Sequence, residues 1–267
     1  MPDKPSTIRR LKSIAWMLAA ATGLFGTASG QTPNPPRLQN DGEFHFVRME
    51  YENAYGGGRG GRGFRGFGRG SWLTDWPEAE THLIPGLSRL TRLDVGADGV
   101  MINLADPELM DYPWLYAVEV GRWQLSDLEA ARLREYLLRG GFLMVDDFWG
   151  TEQWEIFVAS MNRVFPDRPI VELAEDHELL HVLYDLNERI QIPGVGYIRS
   201  GVTWEYDGYV PHWRAIFDDE GRVMVVINYN MDMGDAWEHA DNPYYPEEMT
   251  TLAYRFAVNY VIYSMTH

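Results

Sequence analysis

The sequence predicts an α/β domain built on a mostly parallel sheet with helices on both faces. Three observations point there. Short apolar runs such as residues 142–145 (FLMV) lack the polar alternation of a half-solvated strand, as expected of strands covered on both faces. Segments of helical period alternate with such runs along the chain. Near the C-terminal end, residues 213–217 and 222–228 flank Asp218-Asp219-Glu220-Gly221, which reads as an antiparallel hairpin near a sheet edge.

Each element has a local reason. Residues 44–51 (FHFVRMEY) form a strand-like run. Asp75-Trp76-Pro77-Glu78 opens a helix to about residue 92, with aspartate as a cap, proline and glutamate in the first turn, and Leu83, Leu87 and Leu90 on one face. Residues 100–104 and 114–120 read as strands. Ser126 and Glu129 make a capping box. Leu128, Ala131, Leu133 and Leu137 follow at helical spacing, and Gly140-Gly141 ends that helix. The strand at 142–145 runs into Asp146-Asp147. A helix from about 152 to 164 stops before Pro166, and 170–173 is another short strand. Residues 228–241 (NYNMDMGDAWEHAD) read as irregular, acidic and aromatic. A closing helix runs from 247 to about 265, after Pro246.

The domain organisation follows composition. Residues 1–30 read as a signal peptide. Arg9, Arg10 and Lys12 make the basic start, 14–26 the apolar stretch, and Ala28 and Gly30 the small residues before cleavage at Gln31. Leu11-Lys12 follows the arginine pair poorly for twin-arginine export, so ordinary secretion into the periplasm or medium is expected. No transmembrane anchor is expected after cleavage. Residues 31–42 are a Pro/Asn-rich linker, and 43–267 a single domain. Within it, residues 56–70 hold nine glycines and four arginines, too much backbone entropy for a regular element. They read as a Gly/Arg-rich loop.

Composition also excludes chemistries. The chain has no cysteine, and no lysine after Lys12. A thiol nucleophile, a Schiff-base lysine, a P-loop lysine and a lipoprotein anchor are therefore impossible in the mature chain. Without residues 1–30 it carries 19 basic and 38 acidic residues, a formal charge of −19, which disfavours nucleic acid. The Gly-rich stretch lacks the strand–GxGxxG–helix context of a nicotinamide site. No NAD, pyridoxal phosphate or haem is expected, and a divalent metal is the one cofactor considered.

Several segments carry a family resemblance: Gly140-Gly141-Phe142-Leu143 leading into Asp146-Asp147; Phe165-Pro166; Asp176-His177 with His181 and Tyr184-Asp185; His212-Trp213-Arg214; the run from Asn230 to Asp241; Tyr254-Arg255; and Asn259-Tyr260. From Phe44 onward the chain resembles a bacterial family known as domain of unknown function 4159. The resemblance implies a flavodoxin-like sheet of the class I glutamine-amidotransferase type, and no established activity. Amidotransferases of that fold carry a cysteine on a strand-to-helix elbow. Here Asp146-Asp147 is the nearest counterpart, so glutamine hydrolysis by a thiol is excluded.

Three regions could carry chemistry. His177-Glu178-Leu179-Leu180-His181 matches HExxH, in which histidines four apart on a helix share one zinc, with Glu188 or Glu205 as a third ligand. Asp146 and Asp147 stand at a strand's carboxyl end, where ligands bind in doubly wound sheets. Against this, Asp147 could simply cap the next helix, and Asp146 could pair with an arginine. The candidate catalytic residues are Asp146, Asp147 and His177, and the candidate metal ligands His177, His181 and Asp147. Trp149, His212, Arg214, Asp232, Asp235, Trp237 and His239 are candidate ligand-binding residues, the two tryptophans offering flat faces for sugars. Asp232, Asp235, Glu238 and Asp241 resemble a cation loop by composition, without the spacing of an EF-hand.

The expected function is an exported envelope protein. It is noncatalytic or cryptically catalytic and binds a small polar ligand or an envelope protein partner. One alternative is a metal-assisted hydrolase using Asp146/Asp147 and His177/His181. Another is a scaffold that grips an acidic partner with residues 56–70.

Overall fold

The computed structural model describes residues 43–54 and 70–267. The expected signal peptide, the linker and all of the Gly/Arg-rich loop except Gly70 lie outside the described residues.

In chain order the elements are β1 (Val47–Glu50), β2 (Glu52–Asn53), α1 (Glu78–Leu90), β3 (Val100–Asn103), β4 (Trp114–Val118), β5 (Trp123–Gln124), α2 (Asp127–Leu138), β6 (Phe142–Asp146), α3 (Gly150–Val164), β7 (Val171–Glu172), α4 (Tyr197–Ser200), β8 (His212–Phe217), β9 (Val223–Tyr229), α5 (Met233–Glu238) and α6 (Glu247–Thr266). Seven strands make one sheet in the order β3-β1-β4-β6-β9-β8-β7, and β2 pairs with β5 apart from it. The five strands from β3 to β9 are parallel, and β8 runs against both of its neighbours.

The sheet is covered on both sides, which explains the apolar strands. Tyr116, Phe142 and Met144 face Leu83 and Leu87 of α1, Trp237 of α5 and Phe256 of α6. Their strand neighbours Leu115, Ala117, Leu143 and Val145 face Leu133 and Leu137 of α2 and Phe157 and Met161 of α3. Successive side chains point to opposite faces, and both faces are buried, so no polar alternation survives.

Several local expectations hold. Ser126 accepts from the Glu129 amide, and the Glu129 side chain accepts from Ser126, completing the capping box. Gly140 ends that helix at φ +106, a conformation that favours glycine. The hairpin is antiparallel and near a sheet edge as expected, with only the two-residue β7 outside β8, while β9 pairs with β6. Others are corrected. The first strand begins at Val47, and Phe44 makes only an isolated bridge to Val95. Residues 233–238, expected to be irregular, form α5 because Asp232 caps the turn by accepting from the Asp235 amide. Asp75 does not cap α1, whose N-terminus has no side-chain cap. No helix among the described residues is long and apolar enough to cross a membrane.

Candidate carboxylate site at the strand ends

Backbone strain marks one end of the sheet. Among the described residues, the non-glycine residues with positive φ are Asp75, Glu119, Asp147, Tyr206 and Asn230. Glu119, Asp147 and Asn230 directly follow the ends of β4, β6 and β9. Each left-handed residue without glycine's freedom costs about 1–3 kcal/mol, and such costs gather at working sites. The turn before α1 is braced from β1. Buried Arg48 donates to the carbonyls of Trp72 (2.9 Å) and Thr74 (2.7 Å) and to Glu80 of α1 (2.6 Å). That bracing delivers Asp75 to the crevice.

The end of β6 carries the most buried carboxylate. Asp146 is fully buried, and its Oδ2 accepts from the amides of Met233 (2.8 Å) and Gly234 (3.0 Å) at the start of α5. Its Oδ1 is buried and has no hydrogen-bond partner. Burial pushes the Asp146 carboxyl up to about 7, although those two amides oppose the shift. Asp147 next to it accepts from the Trp149 indole (2.8 Å). Burial, then Glu119, Asp75 and Asp235, hold it well above the usual carboxylate range. Asp147 does not cap α3, and Asp146 does not pair with an arginine; Asp146 instead satisfies the first two amides of α5.

The other carboxyls come from separate segments. Asp75 is raised well above its ordinary range by burial and then by Asp235, with Arg48 opposing. Asp232 is raised likewise by burial, Asp147 and Asp235. Burial and then Asp235 lift Glu238 to about 7 and raise Glu205. Glu119 is raised by burial against the pull of Arg122, which it holds at 2.5 Å. Asp235 accepts from the Val195 amide at 2.5 Å. Two glycines permit this crowding. A Cβ on Gly194 would stand 3.1 Å from Asp232 Oδ2, 3.2 Å from Asp235 Oδ2 and 3.4 Å from Glu205 Oε1, and one on Gly234 would meet Asp75 Oδ2 at 2.1 Å.

Eight carboxyl groups thus share one crevice with two arginines: Asp75, Glu119, Asp146, Asp147, Glu205, Asp232, Asp235 and Glu238. Of the arginines, Arg48 is engaged by Glu80 and Arg122 by Glu119. A buried carboxylate without a partner costs several kcal/mol. Such a crevice lowers its energy by holding protons or by taking a cation. Neutral hydrogen bonds frame it. Gln191 donates to the carbonyls of Gly208 and Asn230 (2.9 Å each), and Asn230 accepts from the Gly150 amide (2.8 Å).

The sequence-derived candidates divide. Asp146, Asp147, Asp232 and Asp235 meet in the crevice, and His239 stands at its rim near Asp235 (3.7 Å) and Glu238 (3.6 Å). Trp149 and Trp237 are buried, Trp237 against Phe46 and Tyr116, so neither offers a face to a sugar. His212 and Arg214 serve Glu172 at the sheet edge, at 3.3 and 3.1 Å. Asp241 is exposed.

The zinc-protease arrangement of residues 177–181 does not form. Its centre is a single 3-10 turn, Glu178–Leu180, and the His177 ring accepts from the Leu179 amide at 3.2 Å. His181 is held by Asp185 and the Glu175 carbonyl, 2.9 Å each. The His177 ring packs on Phe217, which pairs with Val223 at the start of β9. Asp146 is level with Asn228, five residues further along, or about 16 Å at strand rise. Both histidines therefore stand apart from Asp147. Glu205, read as a third zinc ligand, belongs to the carboxylate crevice instead.

Asp75, Glu119 and Arg122 are not legible as site residues in the sequence. Glu119 did carry a signal, as a charge just past a fully apolar strand, the same signal that marks Asp146-Asp147. Of known proteins, no curated one matches the chain. A family model described as domain of unknown function (DUF4159) matches residues 47–265. The chain belongs to that family.

Proposed function

We propose that this chain is a ligand-binding domain that takes up a divalent cation in the carboxylate crevice and presents it to a small polar ligand. The observation that carries the reading is Asp146. It is fully buried, one oxygen is fixed by two amides, and the other has no partner amid seven further carboxyls. Oxygen-rich, anionic sites are what hard divalent cations select.

The location supports the same reading. Taken in chain order, the five parallel strands lie 2-1-3-4-5 across the sheet, the flavodoxin-like order. Ligands of such sheets bind beyond the strand carboxyl ends. Asp147, at φ +50 between β6 and α3, takes the elbow position that the amidotransferase resemblance assigns to a nucleophile. A partnered, raised carboxyl there suits cation binding rather than attack. With the basic, apolar start of the chain read as a signal peptide, the domain works in the envelope or outside the cell.

A second reading, metal-assisted hydrolysis, is favoured by one feature. Asp146 and Glu238 are pushed up to about 7, the range that suits a general base. It uses the same crevice and not the HExxH segment.

The test is thermal unfolding of metal-free protein with magnesium, calcium, manganese or zinc. A cation that binds only the folded chain raises Tm with concentration, and Asp147→Asn, which removes an acid facing Asp235, should weaken the rise. A flat Tm with all four cations removes the reading. Turnover of an ester or phosphoester panel by the cation-loaded protein, lost in Asp146→Asn, would select hydrolysis; no turnover leaves binding alone.

A further inference from the structure

We propose that Asp235, Glu238 and His239 form a metal centre for a first-row divalent ion, zinc, manganese or iron(II), beside the buried carboxyls. The inference rests on reading the crevice as a cation site and names the ligands and the class of ion.

Among the described residues, these three are the one group whose ligand atoms all lie within 4.8 Å of one another. They stand at i, i+3 and i+4 along α5 and its C-cap, a spacing that puts side chains on one helix face. His239 Nε2 is 3.7 Å from Asp235 Oδ1 and 3.6 Å from Glu238 Oε2. Both separations are too long for hydrogen bonds. Two ligand atoms each about 2.0–2.1 Å from a common ion lie about 3.0–3.4 Å apart, so a contraction of a few tenths of an ångström would seat one. Glu238 also shares hydrogen bonds with Asp235 and Asp75, so an incoming ion would displace protons that now join these carboxyls.

A second observation comes from the opposite wall. Asp75 Oδ2 is closed to solvent and has no hydrogen-bond partner. It is aimed at α5, where a Cβ on Gly234 would meet it at 2.1 Å. An ion on α5, or water bound to it, would give that oxygen the partner it lacks. One imidazole with two carboxylates suits zinc, manganese and iron(II), whereas calcium is held by oxygen alone. The side chains of Asp235, Glu238 and His239 are 11%, 28% and 23% exposed. The centre therefore has an open side, as sites with three protein ligands and a water do.

The experiment is calorimetric titration of the metal-free full domain with the chlorides of zinc, manganese, calcium and magnesium, for wild type, His239→Ala and Glu238→Gln. One equivalent should bind the wild type, and each substitution should weaken it at least tenfold. The metal-free Tm should be unchanged in His239→Ala, and Glu238→Gln carries the test if that variant fails to fold. Equal affinity in wild type and both variants overturns this centre. So does binding of calcium or magnesium but neither zinc nor manganese, while the crevice reading then stands. Failure of every cation to bind the wild type removes both.

Discussion

The two ends of the central strands are built on opposite electrostatic plans. At the amino end of β9, charges are matched. Arg222 pairs with Asp218 at 2.9 Å and donates to the carbonyls of Gly141 (3.0 Å) and Leu137 (2.7 Å). His181, nearby in sequence to this end's His177, is held by Asp185. At the carboxyl end, Arg122 pairs with Glu119 and Arg48 is taken by Glu80, which leaves seven of the eight carboxyls unmatched, and the backbone leaves β4, β6 and β9 through left-handed residues. Matched charge and relaxed backbone hold a fold together. Unmatched charge and strained backbone lower stability, and they persist where a bound partner returns what they cost.

The contrast can be broken most severely at its hinge. Arg48→Met would leave Glu80 and two carbonyls of the Asp75 turn without their donor. Removing one partner of a buried pair costs about 3–5 kcal/mol, so denaturant unfolding should show a loss of that order, with the cation response lost as well. A change below about 1 kcal/mol would mean that Arg48 does not brace the turn.

The pH dependence of the metal-free protein should expose the unmatched end. Asp146 has its folded-state pKa raised to about 7, whereas an unfolded aspartate titrates near about 3.9. The folded chain therefore keeps a proton that the unfolded chain has lost. Its stabilising effect is complete below about pH 4, is lost as pH rises towards 7, and is flat beyond. By linkage it reaches about 4 kcal/mol at most. Metal-free Tm should be higher at pH 5 than at pH 8, and saturating cation should shrink the difference. A Tm that rises over this window would contradict the raised, buried Asp146 carboxyl.

Smaller substitutions sharpen the comparison. Asp147→Asn removes one charge from the crevice while an amide oxygen can still accept from Trp149. It should leave the metal-free protein at least as stable as the wild type, because the raised carboxyl it replaces is already disposed to hold a proton, while weakening the cation response. At the matched end, His181→Ala removes an exposed, solvent-screened pair and should leave Tm nearly unchanged, with zinc binding untouched. Loss of zinc binding in that variant would restore the HExxH reading.

The legible features were those set by near neighbours in the chain. The Ser126 capping box, the Gly140 stop, the apolar strand at β6 and the hairpin of β8 and β9 were all readable, because each depends on contacts within a few residues. Asp146-Asp147 was readable as a strand-end pair for the same reason. The HExxH match misled because its spacing has meaning only on a continuous helix, and residues 177–181 make a single turn between loops. Asp75 reads as a cap because Pro-Glu follows it. Its actual position depends on Arg48, 27 residues earlier, which holds the carbonyls on either side of Leu73.

Composition and local pattern alone determined that this chain has no thiol, that no lysine follows Lys12, and that it carries a strong negative charge and an alternating α/β plan. Those are properties of residue types and short-range geometry. Only the tertiary structure decided which acids meet. Eight carboxyls scattered from Asp75 to Glu238 converge because parallel strands deliver their carboxyl ends to one side of the sheet, and the field at each group sums over neighbours remote in sequence. Burial beneath α5, rather than its acidic neighbours, is what raises the pKa of Asp146.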